Sequence, residues 1–190
     1  MIISRTPFRI SFFGGGTDYP VWYKENSGAV LATTIDKYCY ITCRYLPPFF
    51  EHKSRILYTH VETVKSNDEI EHPSVRATLK HMRVTEGVEI HHDGDLPARS
   101  GRGSSSTFTV GLLNAVYALK QSMSTKMQLA RDAIHIEQNI LEENVGSQDQ
   151  VLAAFGGFVK IDFHASSNNY TSDFSVMPVL VNQRRLAEFQ

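Results

Sequence analysis

The order in which this chain changes its hydrophobic period limits its fold more than any other feature. Alternating, β-branched and aromatic stretches come first, helical stretches follow, and strand-like stretches return at the end. Residues 5–13 (RTPFRISFF) read as a strand stopping at Gly14-Gly15-Gly16, where three residues without Cβ let the backbone turn sharply or lie against a ligand. Residues 28–46 read as a hairpin or two strands. Prolines, many charges and weak periodicity mark 47–87 as a loop followed by a helix over about His72 to Glu86. Residues 88–92 form another strand, 93–103 a loop, and 104–120 a strongly apolar helix. A second helix runs from about Thr125 to Glu143, with Ser124 as its N-cap. Residues 151–163 and 170–180 read as strands separated by a polar turn. Strands, then helices, then strands argue for an α+β fold rather than a doubly wound parallel sheet.

The length of 190 residues fits one domain, at most two small ones, and 42% hydrophobic against 21% charged residues suffices for a packed core. Lys plus Arg number 19 and Asp plus Glu 20, which removes the strongest reason to expect nucleic acid or an anionic membrane as partner. No stretch approaches the eighteen or so uncharged apolar residues of a bilayer span. The N-terminus lacks the order of a signal peptide, and two cysteines are no disulfide framework, so a cytoplasmic location is expected. Cys39 and Cys43 share one strand face without two further zinc ligands at matching spacing, and read as packing residues. Adjacent His91 and His92 point to opposite faces and cannot serve one metal; they read as an exposed strand end.

The strongest chemical signal is Pro97-Ala98-Arg99-Ser100-Gly101-Arg102-Gly103-Ser104-Ser105-Ser106, between a strand and the apolar helix. Its glycines let successive N–H groups turn inward, the helix N-terminus adds donors and a positive dipole end, and the serines add hydroxyls. Together they make an anion site, although neither a Walker A loop nor the dinucleotide fingerprint is present. Glu137 falls on the apolar stripe of Met127, Ala130, Ala133, Ile134, Ile140 and Leu141. A carboxylate facing a core needs a cationic partner or a metal, and oxygen ligands suit Mg²⁺. Asp149 lies in the short loop Val145–Gln150, where it reads either as a turn residue or as a base for phosphoryl transfer. Arg9 faces away from Phe8 and Ile10 and is a candidate partner for such a carboxylate.

Taken together, these pieces resemble the GHMP small-molecule kinases. Residues 7–19 (PFRISFFGGGTDY) are similar to that superfamily's sugar-side motif, residues 97–106 to its phosphate loop, and Gly146–Gln150 to the segment with its catalytic Asp, in family order. The triple-glycine form of the first motif resembles most the D-glycero-D-manno-heptose 7-phosphate kinases of bacterial surface-polysaccharide synthesis. The resemblance implies a mixed sheet with packed helices, similar to domain 2 of ribosomal protein S5, and an ATP-dependent sugar kinase. It implies Asp149 as base and Arg9 as the group supporting its charge. Gly101, Arg102, Gly103, Ser104, Ser105 and Ser106 would hold the ATP phosphates, Ser105 and Glu137 would hold Mg²⁺, and Gly16, Thr17 and Asp18 would bond sugar hydroxyls. The partners implied are a sugar phosphate and ATP, with homo-oligomerisation left open. Rival readings are a galactose- or fucose-type kinase, or a nucleotide-binding regulator without turnover. Arg102 stands where the family has Leu, and the family's Gly-rich C-terminal motif does not occur in these 190 residues. Residues 1–180 are therefore expected to be the ATP-binding domain and 181–190 the start of a helix leading to a further domain, with 1–190 inactive alone.

Overall fold

The computed structural model describes residues 1–97, 103–165 and 173–182. They form a mixed sheet with helices packed against it, as the order of segments predicts. The strands are β1 (Ile2–Phe13), β2 (Gly28–Tyr45), β3 (Ser54–Leu57), β4 (Val61–Val64), β5 (Val88–Gly94), β6 (Phe158–Phe163) and β7 (Phe174–Pro178). The sheet runs β4-β3-β5-β2-β6-β7, with β1 paired to β2, and every pairing is antiparallel except β3 with β5. The helices are α1 (Pro20–Asn26), α2 (Pro73–His81), α3 (Ser104–Leu119), α4 (Lys126–His135) and α5 (Gln148–Phe155).

The stretch 28–46 is neither a hairpin nor two strands but the single long β2. Two shorter strands share one of its edges: β6 covers Gly28–Thr33 and β5 covers Cys39–Tyr45, while β1 pairs with it from Leu31 to Cys43. Segment 47–87 holds the β3–β4 hairpin as well as a helix, and that helix ends at His81 rather than Glu86. The chain leaves it through Arg83 at φ +52. The run VLAAF, expected as strand, is the helix α5. Five consecutive apolar residues carry no diagnostic period, and the two alanines favour helix. Gly156 and Gly157, both at positive φ, then end it before β6. Helix α1 went unanticipated, although Pro20 at its first turn is the sequence signal for it.

Helix α3 explains its composition by its place. From Ser106 to Leu113 every residue is buried. One face meets β1 and β2 so closely that a Cβ on Gly111 would stand 2.8 Å from Thr6 Oγ1. The opposite face packs Val110 and Leu113 with Leu129, Ala133, Ile136 and Ala153 of the surrounding helices. Helix α4 starts at Lys126 with Thr125, not Ser124, as its cap: Thr125 Oγ1 accepts from Gln128 N at 3.1 Å. It continues as a π-helical turn over Ile136–Ile140 instead of running helical to Glu143. Cys39 and Cys43 are buried thiols, each pushed up to about 12 by burial, as packing residues should be. His91 and His92 are half-buried within β5 rather than exposed at a strand end; His92 packs edge-on against Phe108.

Candidate active site

The motif residues that the structure describes gather around one cavity of about 400 Å³. It is lined by Arg9, Asp18 and Tyr19, by Gly103 to Ser106, and by Val145, Gly146, Gln148 and Asp149. Three separate local features build it. Along β1 the pairing with β2 shifts register between Pro7 and Arg9, where proline offers no N–H to the ladder, and Arg9 follows the shift. Gly103, at φ +74, turns the chain into α3. Asp149 occupies the first turn of α5.

Arg9 and Asp149 form a bidentate ion pair. Arg9 Nε donates to Asp149 Oδ1 at 2.6 Å and Nη2 to Oδ2 at 2.8 Å. Both side chains keep some solvent exposure, 15% and 21%. The serine loop lies directly against this pair: a Cβ on Gly103 would fall 3.0 Å from Asp149 Oδ2. Gly103 and Asp149, 46 residues apart in sequence, thus lie against one another.

Glu137 lies behind the cavity wall with no exposed surface, on the π-helical turn. Its Oε2 accepts from Ser106 Oγ at 2.7 Å and from Gln150 Nε2 at 2.5 Å. Burial pushes its carboxyl above the ordinary glutamate value, hydrogen bonds from Ser106, Thr109 and Gln150 pull it back in part, and the Glu143 charge adds to the rise. Among the described residues no Lys, Arg or His makes an ion pair with it. Its Oε1 is buried without a hydrogen-bond partner. An orphaned carboxylate oxygen fits a small hard cation that draws its other ligands from phosphate and water. Among the described residues no cluster of three His, Cys, Asp or Glu could hold a metal from protein groups alone. Glu137 bonds Ser106, however, and not the Ser105 with which it was paired as a ligand.

The sugar-side residues stand differently from expectation. Asp18 has no exposed surface, and its two carboxylate oxygens accept main-chain N–H groups of Gly16 (3.0 Å) and Gln148 (3.1 Å). Thr17 Oγ1 donates to Gly14 O at 2.8 Å and bridges to Ala29 of β2. Gly16 borders open space, at φ +94. Asp18 and Thr17 thus both bond backbone, and Asp18 also borders the cavity. Gly101 and Arg102, both expected at the phosphates, lie outside the described residues, as do 183–190 of the expected C-terminal helix.

Sequence reasoning missed three polar residues that assemble the site. Gln150 holds Glu137. Gln138 Nε2 donates to Ser147 Oγ and to Val145 O, both at 3.0 Å, tying the π-helical turn to the turn before Asp149. Tyr19 lines the cavity. The signal for Gln150 was present, as an uncharged polar residue opening an otherwise apolar run.

Residues 71–157 match the family model of the GHMP kinases N terminal domain. Over those residues the chain is similar to the GHMP kinases N terminal domain, and its fold is shared with solved small-molecule kinases. Among individual relatives, it is 28% identical over 172 residues to a D-glycero-alpha-D-manno-heptose 7-phosphate kinase of Campylobacter jejuni, covering 86% of this chain and 51% of that protein. The crystal structure of a D-glycero-D-manno-heptose 1-phosphate kinase from Bacteroides thetaiotaomicron superposes with a TM-score of 0.85 at 25% identity, covering 99% of this chain and 63% of that one. Lactococcus lactis galactokinase, solved with galactose, shares the fold at a TM-score of 0.70 and 18% identity, covering 95% of this chain and 48% of that one. The chain thus spans about half the length of the curated relative it matches. Among the described residues no helix is long and apolar enough to cross a membrane.

Proposed function

We propose that this chain is the ATP-binding domain, residues 1–180, of a kinase that transfers the γ-phosphoryl group of ATP to a sugar hydroxyl, with a heptose phosphate as acceptor. The observation that carries the reading is the Arg9–Asp149 pair in contact with the glycine–serine loop at one cavity. Phosphoryl transfer needs an anion cradle and a group that takes the hydroxyl proton, held at touching distance, because catalysis there is mostly positioning and charge stabilisation. A protein that merely binds nucleotide has no use for the carboxylate.

In this reading the ATP phosphates lie against the main chain of Gly103 to Ser106, where the start of α3 presents N–H groups and its positive dipole end. Asp149 accepts the proton of the attacking hydroxyl. Arg9, bonded to both carboxylate oxygens, fixes the direction in which they face and supplies positive charge beside the transferring group. Glu137 and Ser105 would hold Mg²⁺, which when bound neutralises charge on the phosphates. Ser106 and Gln150 keep the Glu137 carboxylate oriented.

The acceptor is the finer part of the proposal. The two heptose kinases named above carry a 7-phosphate and a 1-phosphate in their names, so the acceptor hydroxyl is an open choice between two ends of one sugar. The anomeric hydroxyl of D-glycero-D-manno-heptose 7-phosphate is the acceptor we favour. An ATP-consumption screen of the full-length protein decides, with heptose 7-phosphate, heptose 1-phosphate, galactose, fucose and mevalonate as substrates. Preference for heptose 7-phosphate supports the reading; preference for galactose or fucose replaces the acceptor. No ATP consumption with any of them leaves the nucleotide-binding regulator.

A further inference from the structure

Asp18 is a fully buried carboxylate that the chemistry above does not employ. Three contacts join it to the turn that carries Asp149. Its Oδ2 accepts from Gln148 N at 3.1 Å, its main-chain O accepts from Ser147 N at 3.0 Å, and a Cβ on Gly146 would fall 1.9 Å from Oδ2. Helix α5 begins at Gln148, and Ser147 makes no side-chain capping bond to it. The first N–H groups of a helix need an acceptor, and an anion there is favoured by the dipole. Asp18, 130 residues earlier, supplies that acceptor from another part of the fold.

We propose that Asp18 is a positioning residue: it grips the main chain of the Gly146–Gln148 turn and so sets where the Asp149 carboxylate stands against Arg9 and the serine loop. The proposal rests on the reading of Asp149 as the base. The grip is useful because Asp18 is itself anchored. Its Oδ1 accepts from Gly16 N at 3.0 Å. Thr17 next to it bonds Gly14 O and both main-chain groups of Ala29 on β2. The loop is pressed so tightly onto β2 that a Cβ on Gly14 would meet Ala29 O at 1.8 Å. Both halves of the ion pair are therefore referenced to the same sheet, Arg9 through β1 and Asp149 through the loop, Asp18 and α5. Asp18 and Gly146 act as one joint, a carboxylate and the one side-chain-free residue that can lie against it.

The joint gives a test that separates it from direct sugar contact. Asp18→Asn retains one acceptor but turns an NH₂ toward the other N–H, so one of the two grips is lost. Gly146→Ala leaves Asp18 untouched and displaces only the turn. Two readouts are followed in the full-length protein: hydrogen exchange of the Arg9 Nε–H signal by NMR, and kcat and KM for the sugar. Positioning predicts that both variants speed Arg9 Nε–H exchange by about tenfold or more. It also predicts kcat losses approaching about 10²-fold, the scale of small misplacements of a catalytic group, with KM for the sugar within about threefold. The double variant should lose little more than the worse single one. A raised sugar KM with kcat and Arg9 exchange unchanged in Asp18→Asn, and a silent Gly146→Ala, would show a sugar contact and overturn the proposal. Should either variant fail to fold, the unaltered protein still decides: Gly16 and Gln148 amides exchanging as fast as exposed loop amides also reject the grip. If the unaltered protein phosphorylates no sugar while Arg9 exchange responds as predicted, the functional reading fails and the positioning role stands.

Discussion

Asp149 shows how little one residue's surroundings in sequence say about its role. In the local string Gly-Ser-Gln-Asp-Gln it is as good a turn residue as a base. The bidentate contact from Arg9 and the closeness of Gly103 are what support the proposed base. Asp149→Asn keeps the shape and removes the proton acceptor. Nucleotide affinity should then stay within about twofold while turnover falls by about 10²- to 10⁴-fold, the usual weight of general-base assistance. Turnover at saturating sugar and ATP checks this, and a variant within twofold of the parent rejects the assignment. Glu137 gives a second expectation at this scale. Glu137→Gln retains the hydrogen bonds to Ser106 and Gln150 in part but loses the charge, so the Mg²⁺ concentration for half-maximal rate should rise. An unchanged Mg²⁺ dependence would leave Glu137 as a purely structural group.

At the scale of elements, the sheet is held laterally by an ion cluster that no motif reveals. Glu89 of β5 is buried beneath Arg44 of β2 and Arg55 of β3, with Arg44 Nε donating to its Oε2 at 2.5 Å and His91 at 3.2 Å from its Oε1. Burial alone would raise its carboxyl, but hydrogen bonds from His91, Arg44 and Arg55 bring it from the usual 4.5 to about 2. Between those values the unfolded chain binds the proton and the folded chain does not, so stability falls as pH falls. The contribution is fully present above about pH 4.5 and is lost on the way to about pH 2. Urea unfolding at several pH values should show a shallower acid loss for Glu89→Gln than for the parent; identical slopes would mean that other carboxylates carry the acid sensitivity. The seat of α3 offers a second test. With Thr6 and Ile41 already at the Gly111 surface, Gly111→Val overpacks the contact and should cost about 1–3 kcal/mol in the same unfolding assay.

For the molecule as a whole, the cavity joins elements as far apart in the chain as Arg9 and Asp149, so ligand binding should stabilise the global fold. At ATP and Mg²⁺ a hundredfold above the dissociation constant, mass action gives about 2.7 kcal/mol. For a domain of this size that is about 5–10 °C in melting temperature. Melting curves with ATP alone, Mg²⁺ alone and both together measure it. The largest shift should need both, and Glu137→Gln should remove the Mg²⁺-dependent part; a melting point indifferent to ATP would tell against the nucleotide site.

The sequence by itself determined the class of fold, the three motifs and their order, because hydrophobic period and glycine–serine chemistry are local properties of the chain. It marked Glu137 as a charge on an apolar stripe, whereas Arg9 and Asp149 stood out through the motifs that resemble the family's. It misread residues 151–155 as strand, because five consecutive apolar residues carry no diagnostic period. It also missed that β2 is one strand, since its continuity depends on two partners meeting on the same edge. Tertiary structure alone decided that Arg9 pairs with Asp149, that Glu137 bonds Ser106 and Gln150, and that Asp18 accepts the main-chain N–H of Gln148. Those choices join residues 13 to 140 positions apart, and a contact over that span leaves no trace in local pattern, because the geometry that rewards it exists only once the sheet and helices have packed.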